Sequence, residues 1–563
     1  MKRNRLFWAD RIAQQVELRV QNETILQKIV EERGYICYDE KTPSGRIHVG
    51  SGRGWVIHDT VAKALRNRGL NARFILSSDD MDPMDSIPSD LEDPDYWNSF
   101  MGKPFRNIPS PEKGFKSFAE YYFHDATSKF AEYGIKAEIE STGERYVRGD
   151  FNTIIKLALD HTQRIQEIYN RFYESTTMRT KLPFNPICEK CGNIGTTRAY
   201  EWHPEDEKVD YHCKPDSVTW AQGCGYEGEI SPYNGNGKFP WKVEWAAKWP
   251  TVGVVYETAG KDHFSAGGSR DISIAISREI FNFPPPLPSS AKKTEKGWIY
   301  KRGAGYEFFL IGGAKMASSK GQGFPFADMT YYAPGNILRY ILVRTRPKSA
   351  INFDPQSDLE RIYRDYDDTE KKFYETKANP TLLEKDKYFN AKRLYELSFI
   401  GNILPTQPTA VDFNFGVMIV QLTNSTEEAM SLLQNKGKLP TILTEEHQQI
   451  VVERLDFFRR WVNDLAPPDT IIMLTVNPQL QLTEKESRIC KDFTNLLNST
   501  ENEQELIKGI KKITEQHRLE TKEFYGLIYQ VLFGSKSGPR LVPYVVFAGP
   551  NQIVQHIQKV ISL

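Results

Sequence analysis

The stretch K-T-P-S-G-R-I-H-V-G-S, residues 41–51, decides how the first half of the chain is read. Its proline and glycines exclude it from the interior of a helix or strand, yet regular patterns flank it. Tyr35 to Tyr38 is a short apolar run suited to a strand. From 52 to 68 the apolar residues Val56, Ile57, Val61, Ala64 and Leu65 recur at helical spacing, and Gly69 offers a C-cap. Ala72 to Leu76 reads as a second strand. Strand, glycine loop, helix and strand make a βαβ unit, whose loop brings backbone N–H groups to a helix N-terminus, where an anion binds. Any βα turn uses glycine, so this segment alone also fits a purely structural turn.

Bulk properties narrow the function classes. With 563 residues the chain has room for about three or four domains. Lysine plus arginine (73) balances aspartate plus glutamate (73), so a polyanionic partner would meet a local basic patch on a neutral body. The N-terminal M-K-R-N-R-L-F-W-A-D-R lacks an apolar signal core. The longest apolar runs, such as Ile471 to Val476, are too short to span a bilayer. A cytoplasmic location and no membrane partner are therefore expected. Six cysteines in a chain of this length suggest metal rather than a disulfide framework.

Residues 1–185 alternate strand-like and helix-like pieces, with an irregular Pro/Asp/Gly-rich inserted region at 80–118 and a helical candidate from Asp150 to Glu174. A turn-rich, cysteine-bearing block occupies 186–230, and the α/β alternation returns over 231–350. The remainder, 351–563, reads as all helical. Asp358 to Tyr374, Asp412 to Asn435, Thr444 to Trp461, Lys485 to Asn498 and Glu501 to Phe533 all fit helices separated by Pro and Gly signals.

Two runs carry chemistry beyond the opening motif. P-I-C-E-K-C-G at 186–192 is a C-x-x-C knuckle that aims Cys188 and Cys191 at one point, and Cys213 and Cys224 complete a tetrahedral zinc shell. His212 is an alternative to Cys213, and four buried thiols without metal is the plainer reading. A closed four-ligand shell makes such a zinc structural. Cys37 and Cys490 read as core residues. The second run, G-A-K-M-A-S-S-K-G at 313–321, places two lysines and two hydroxyls between glycines, which suits a mobile clamp on phosphate. No Walker pattern is present, and G-S-G-R-G at 50–54 misses the dinucleotide fingerprint.

Together, H-V-G-S (48–51) and K-M-A-S-S (315–319) resemble the HIGH-like and KMSKS-like signatures of class I aminoacyl-tRNA synthetases. T-P-S-G-R-I-H-V-G, S-S-D-D-M-D-P (77–83), W-K-V-E-W-A-A-K-W (241–249), G-K-D-H-F-S-A-G-G-S (260–269) and Y-G-L-I-Y-Q-V-L-F-G-S-K-S-G-P-R-L (525–541) narrow the resemblance to the class I lysyl-tRNA synthetases. These matches run in order along nearly the whole chain. Ser51 stands where that family usually has Asn or His, and Ala317 where it has Ser. Residues 114–120 lack the Cys/His ligands some relatives carry, so one zinc is expected.

The resemblance implies an α/β fold: a doubly wound parallel-sheet Rossmann catalytic domain with a zinc-bearing insertion (186–230), split into halves at 1–185 and 231–350. An all-helical C-terminal domain (351–563) would bind the tRNA anticodon. It implies ATP-dependent activation of L-lysine to lysyl-adenylate, with Mg²⁺ accompanying ATP, and transfer to tRNA(Lys). His48, Gly50, Lys315, Ser318 and Ser319 would serve catalysis. Pro43, Ser44, Gly45, Ser51, Asp262, His263, Met316 and Lys320 would complete the ATP site. Thr42, Trp241, His263 and Tyr306 would contact the amino acid, joined by Asp80 and by Glu244 as a counter-charge. Substrate carboxylate attacks the α-phosphate, so no protein nucleophile is required. A catalytically silent tRNA-binding paralogue, or a class I synthetase for glutamate or glutamine, are the alternatives.

Overall fold

The computed structural model describes residues 6–172, 181–265, 267–294, 297–300, 304–311, 324–475 and 480–562. The chain forms two compact units: Met1–Phe353 with Glu375–Ile403, and Asp354–Tyr374 with Leu404–Leu563. Residues 375–403 therefore fold with the first unit, whereas the sequence pattern alone suggests a single boundary at 351.

In the first unit, helices α1 (Trp8–Asn22) and α2 (Thr24–Arg33) lead into strand β1 (Tyr35–Lys41), helix α3 (Val49–Arg66) and strand β2 (Ala72–Ser78). Strand β3 (Glu138–Ser141) and the strand Val254–Tyr256 complete a four-stranded parallel sheet in the order β3, β2, β1, Val254–Tyr256. Ile12, Val16 and Val20 lie on one buried face of α1, at the spacing an amphipathic helix needs. Helix α3 is buried nearly all round, as a crossover helix in the core must be. In β1, Tyr35–Tyr38 are buried and Asp39–Lys41 half-buried, so the strand passes from core to site along its length.

Two expectations change here, at the start of α3 and at 150–174. Helix α3 begins at Val49, not near 52, so Gly50, Gly52 and Gly54 lie inside its first turns. The inserted region after β2 has its own aromatic core of Met84, Trp97, Phe105, Ile108, Phe118 and Tyr122. The expected long helix at 150–174 is two helices, Asn152–Asp160 and Thr162–Phe172, because His161 between them leaves helical geometry.

The cysteine-bearing segment folds as a three-stranded antiparallel sheet, Thr197–His203, Lys208–Cys213 and Glu227–Ile230. The second unit is helical, with no strand among its described residues. Two predicted helices are again divided. Ser425 caps a new helix, Thr426–Asn435, within 412–435, and Arg518, at φ 52°, ends Glu503–Gln516 before Thr521–Phe533. No helix among the described residues is long and apolar enough to cross a membrane.

Candidate active site

Strand β1 continues to β2 on one side and is flanked by Val254–Tyr256 on the other, the strand order at which an open parallel sheet leaves a crevice beyond its carboxyl ends. A cavity of about 770 Å³ occupies that place. Its walls come from the end of β1 (Asp39, Glu40, Lys41) with Thr42 after it, the signature loop (Ser44, His48, Gly50, Ser51) and the turn after β2 (Asp79, Asp82, Asp85). The helix Trp241–Lys248 adds Trp241, Glu244 and Trp245, and residues 257–260, Asp262 and His263 with Tyr306 close the far side.

The glycines of the first motif are there for close approach. A Cβ on Gly52 would sit 2.2 Å from the Phe326 ring, and one on Gly54 would sit 2.7 Å from the Tyr306 hydroxyl and 2.9 Å from Asp39 Oδ2. The start of α3 is thereby pressed against the segment that follows the second signature run. Phe326 N–H donates to Ile47 O (2.7 Å), and Val49 N–H donates to Phe324 O (3.0 Å). The amide of Val49 is thus engaged with protein and is withdrawn from the anion-binding set expected at this helix N-terminus. Arg46 extends the same seam, donating to Asp328 (2.7 and 2.8 Å) and Asp125 (3.1 Å).

The cavity is acidic. Asp39, Glu40, Asp79, Asp82, Asp85, Glu244, Glu257, Asp262 and Glu307 line it, against Lys41 as its one lining lysine among the described residues. Two buried ammonium groups behind the wall organise this charge. Lys238 Nζ lies 3.0 Å from Asp79, 2.5 Å from Asp82 and 3.0 Å from Glu244. Lys248 pairs with Glu40 and lies 3.0 Å from Glu244. Glu244 also accepts from the Tyr146 hydroxyl at 2.7 Å. Burial opposes ionisation of Asp79, but the two ammonium groups outweigh it and hold its carboxyl below the ordinary range. Burial raises Glu40 to about 8 despite Lys248, with Asp79 and Glu244 adding to the shift. Burial also raises Glu244.

An aromatic corner faces these acids. Trp241 and Trp245 stack at 5.5 Å between ring centres, and His263 meets each edge-on at 5.6 Å. Burial lowers the pKa of His263, which favours a neutral ring. Glu257 fixes the corner from behind, accepting from Trp245 (2.8 Å), Trp249 (2.7 Å) and Arg270 (2.7 Å). Trp241 stays 44% exposed, so its face is open to a ligand.

Of the residues expected at the site, Thr42, Ser44, His48, Gly50, Ser51, Trp241, Glu244, Asp262, His263 and Tyr306 line this one cavity. Tyr306 is held there by its backbone, paired with Ala259 and Lys261. Pro43 and Gly45 are buried beside the cavity and are not part of its lining. Asp80 turns away: its carboxylate accepts from Ser141 (2.6 Å) and the Gly143 amide (2.7 Å), so it braces β3 rather than facing a ligand. Glu244 meets three protein donors, which makes it a part of the wall's framework instead of a free counter-charge. Lys315, Met316, Ser318, Ser319 and Lys320 lie outside the described residues.

Sequence reasoning missed Asp39, Glu40, Asp82, Lys238 and Lys248 as members of the site. Glu244 and Lys248 at i, i+4 on one helix was a legible signal; the pairing of Lys238 with Asp79 and Asp82, 159 and 156 residues away, was not.

Away from the crevice, the thiols of Cys188, Cys191, Cys213 and Cys224 all lie within 4.8 Å of one another. The closest pairs are 3.6 and 3.7 Å apart, near the roughly 3.8 Å edge of a tetrahedron with Zn–S bonds of about 2.3 Å. His212 points elsewhere, stacking on Tyr200 at 4.8 Å, because neighbours on a strand face opposite ways.

The crevice at the switch point of the parallel sheet, lined in part by the first signature loop, is where an open α/β fold binds its ligand. Residues 6–398 match the family described as tRNA synthetases class I (K), and the chain belongs to that family. Within it the chain is similar to the lysine–tRNA ligases of Methanosphaera stadtmanae (27% identical, covering 98% of this chain and 99% of the relative) and Methanocaldococcus jannaschii (29%, 95% and 98%). Lysine–tRNA ligase 1 of Methanosarcina acetivorans is 30% identical over 89% of this chain and 90% of its own length.

Proposed function

We propose that this chain is a lysine–tRNA ligase: it activates L-lysine with ATP to lysyl-adenylate and transfers the lysyl group to tRNA. The acid-rich, aromatic-cornered crevice carries this reading. Lysine brings an α-ammonium and an ε-ammonium on a four-carbon stem, and the crevice offers indole faces for the stem and carboxylates for the cations. A glutamate side chain would add an anion to a wall already rich in carboxylates, which argues against the glutamate alternative.

In this reading Thr42, Trp241, His263 and Tyr306 surround the amino acid. His48, Gly50, Ser44 and Ser51 face the nucleotide. Lys315, Ser318, Ser319 and Lys320 neutralise charge on the departing pyrophosphate, with Mg²⁺ supplying further neutralisation when bound with ATP. The substrate's carboxylate is the nucleophile, so the protein's part is positioning and charge stabilisation. A neutral His263 adds no positive charge beside the incoming ammonium.

Further parts of the proposal rest on the same family. The first unit is a doubly wound Rossmann catalytic domain; residues 186–230 are an insertion held by one structural zinc on Cys188, Cys191, Cys213 and Cys224. The helical unit binds the tRNA, and the enzyme works in the cytoplasm. Supporting the zinc, four thiols converge within 4.8 Å, two pairs of them near the edge length of a tetrahedral shell. The deciding experiment is amino-acid-dependent pyrophosphate exchange with lysine, arginine, glutamate and glutamine, run with tRNA present. Lysine should lead by a wide margin; equal exchange with any of the others would overturn the assignment.

A further inference from the structure

One buried side chain beside the crevice, His58, is not part of its lining. His58, on α3 and fully buried, touches three strands of the sheet. Its ring stacks on Phe74 of β2 (5.6 Å, 11° between planes) and meets Tyr256 at 5.3 Å. Nε2 lies 3.0 Å from the backbone N–H of Thr258. An amide N–H only donates, so Nε2 accepts and the ring proton sits on Nδ1. That Nδ1–H points at Gly54 O (2.8 Å) and at Asp39 Oδ2 (3.4 Å).

Asp39 and Thr258 both line the cavity: one lies near the end of β1, before Lys41, and the other just follows Val254–Tyr256. The ladder between β1 and Val254–Tyr256 ends at Cys37 with Tyr256, so among the described residues its hydrogen bonds do not reach as far as Asp39 and Thr258. His58 bridges the two. The glycine at 54 belongs to this arrangement, since a side chain there would collide with Asp39 Oδ2 and the Tyr306 hydroxyl. The Thr258 hydroxyl, fully buried in the cavity wall, has no hydrogen-bond partner among the described residues. A buried hydroxyl without a partner is costly unless a ligand supplies one.

We propose that His58 is a positioning residue for amino-acid binding: it fixes the gap between Asp39 and Thr258, and the Thr258 hydroxyl contacts the bound amino acid. This rests on the lysine-activating function proposed above. The order of measurements keeps the two apart, because wild-type protein without lysine-dependent pyrophosphate exchange would refute the function before any variant is compared.

With exchange established, His58→Leu should raise the KM for lysine at least about tenfold while moving the KM for ATP much less. His58→Asn, which restores a donor near Nδ1, and His58→Gln, which restores an acceptor near Nε2, should each recover part of the loss. Thr258→Val keeps the shape and the backbone contact, and should raise the lysine KM by itself. Unchanged lysine KM in folded His58→Leu and Thr258→Val, or equal rises for lysine and ATP, would overturn the proposal. Should His58→Leu fail to fold, ¹⁵N-histidine spectra of the wild type decide: a neutral Nδ1–H ring whose shifts move on adding lysine supports it, and an Nε2–H ring or an unresponsive one refutes it.

Discussion

Glu244 shows what a single buried carboxylate does in this wall. It is 1% exposed and is approached by Tyr146, Lys238 and Lys248, so its loss would leave two buried ammonium groups short of a counter-charge. Breaking a buried ion pair from one side costs about 3–5 kcal/mol. Glu244→Ala is accordingly expected to lower the free energy of unfolding by that order, read from urea titration, with Glu244→Gln intermediate because its amide oxygen still accepts from Tyr146. A loss below about 1 kcal/mol would mean that Asp79, Asp82 and Glu40 suffice as counter-charges for the two lysines. The sequence marks Glu244 as an acid between tryptophans, but its saturation by donors depends on Lys238 and Tyr146, which arrive from elsewhere in the chain. Asp80 misleads for the same reason: adjacent aspartates on a turn look equivalent, and only the position of β3 turns one inward to Ser141 and Gly143.

At the scale of elements, α3 was the most legible part of the molecule and still differs from its sequence reading at one end. Periodicity finds the helix because its apolar positions are unbroken from Val56 to Leu65. It misses the first turn because glycines normally oppose helix, by about 1 kcal/mol each relative to alanine. Here they are retained for contact, and the price in propensity is met by packing against Phe326, Asp39 and Tyr306. Gly52→Ala should therefore destabilise the protein by about 1–3 kcal/mol through overpacking despite its better helix propensity. Gly526→Ala, in a helix of the second unit with nothing within 4 Å of the added methyl, should be neutral or stabilising. Thermal unfolding of the two variants checks both; a stabilised Gly52→Ala would remove close approach as the reason for the motif. The divided helices at 150–174, 412–435 and 501–533 escaped because their breaks lie at polar, non-glycine residues such as His161, Ser425 and Arg518.

At the scale of the whole molecule, the α/β and helical halves were visible from patterning, whereas the return of 375–403 to the first unit was not, since helices carry no mark of which core they join. The four cysteines were legible as a set, and the strand alternation that separates His212 from Cys213 settles which of the two joins the cluster. If they hold zinc, Cys188→Ser should lose the metal and unfold more readily while any folded fraction retains exchange activity. Elemental analysis giving no zinc in the wild type, or two equivalents, would contradict a single structural site. The phosphate clamp proposed for residues 315–320 rests on sequence resemblance, and the crevice itself rests on the fold; what joins them is the substrate. The most direct test is therefore pyrophosphate exchange by the full chain with tRNA present, titrated with lysine against arginine, glutamate and glutamine. A lysine–tRNA ligase gives exchange dependent on lysine and far weaker with the other three; exchange led by another amino acid, or none with any of them, would contradict the assignment.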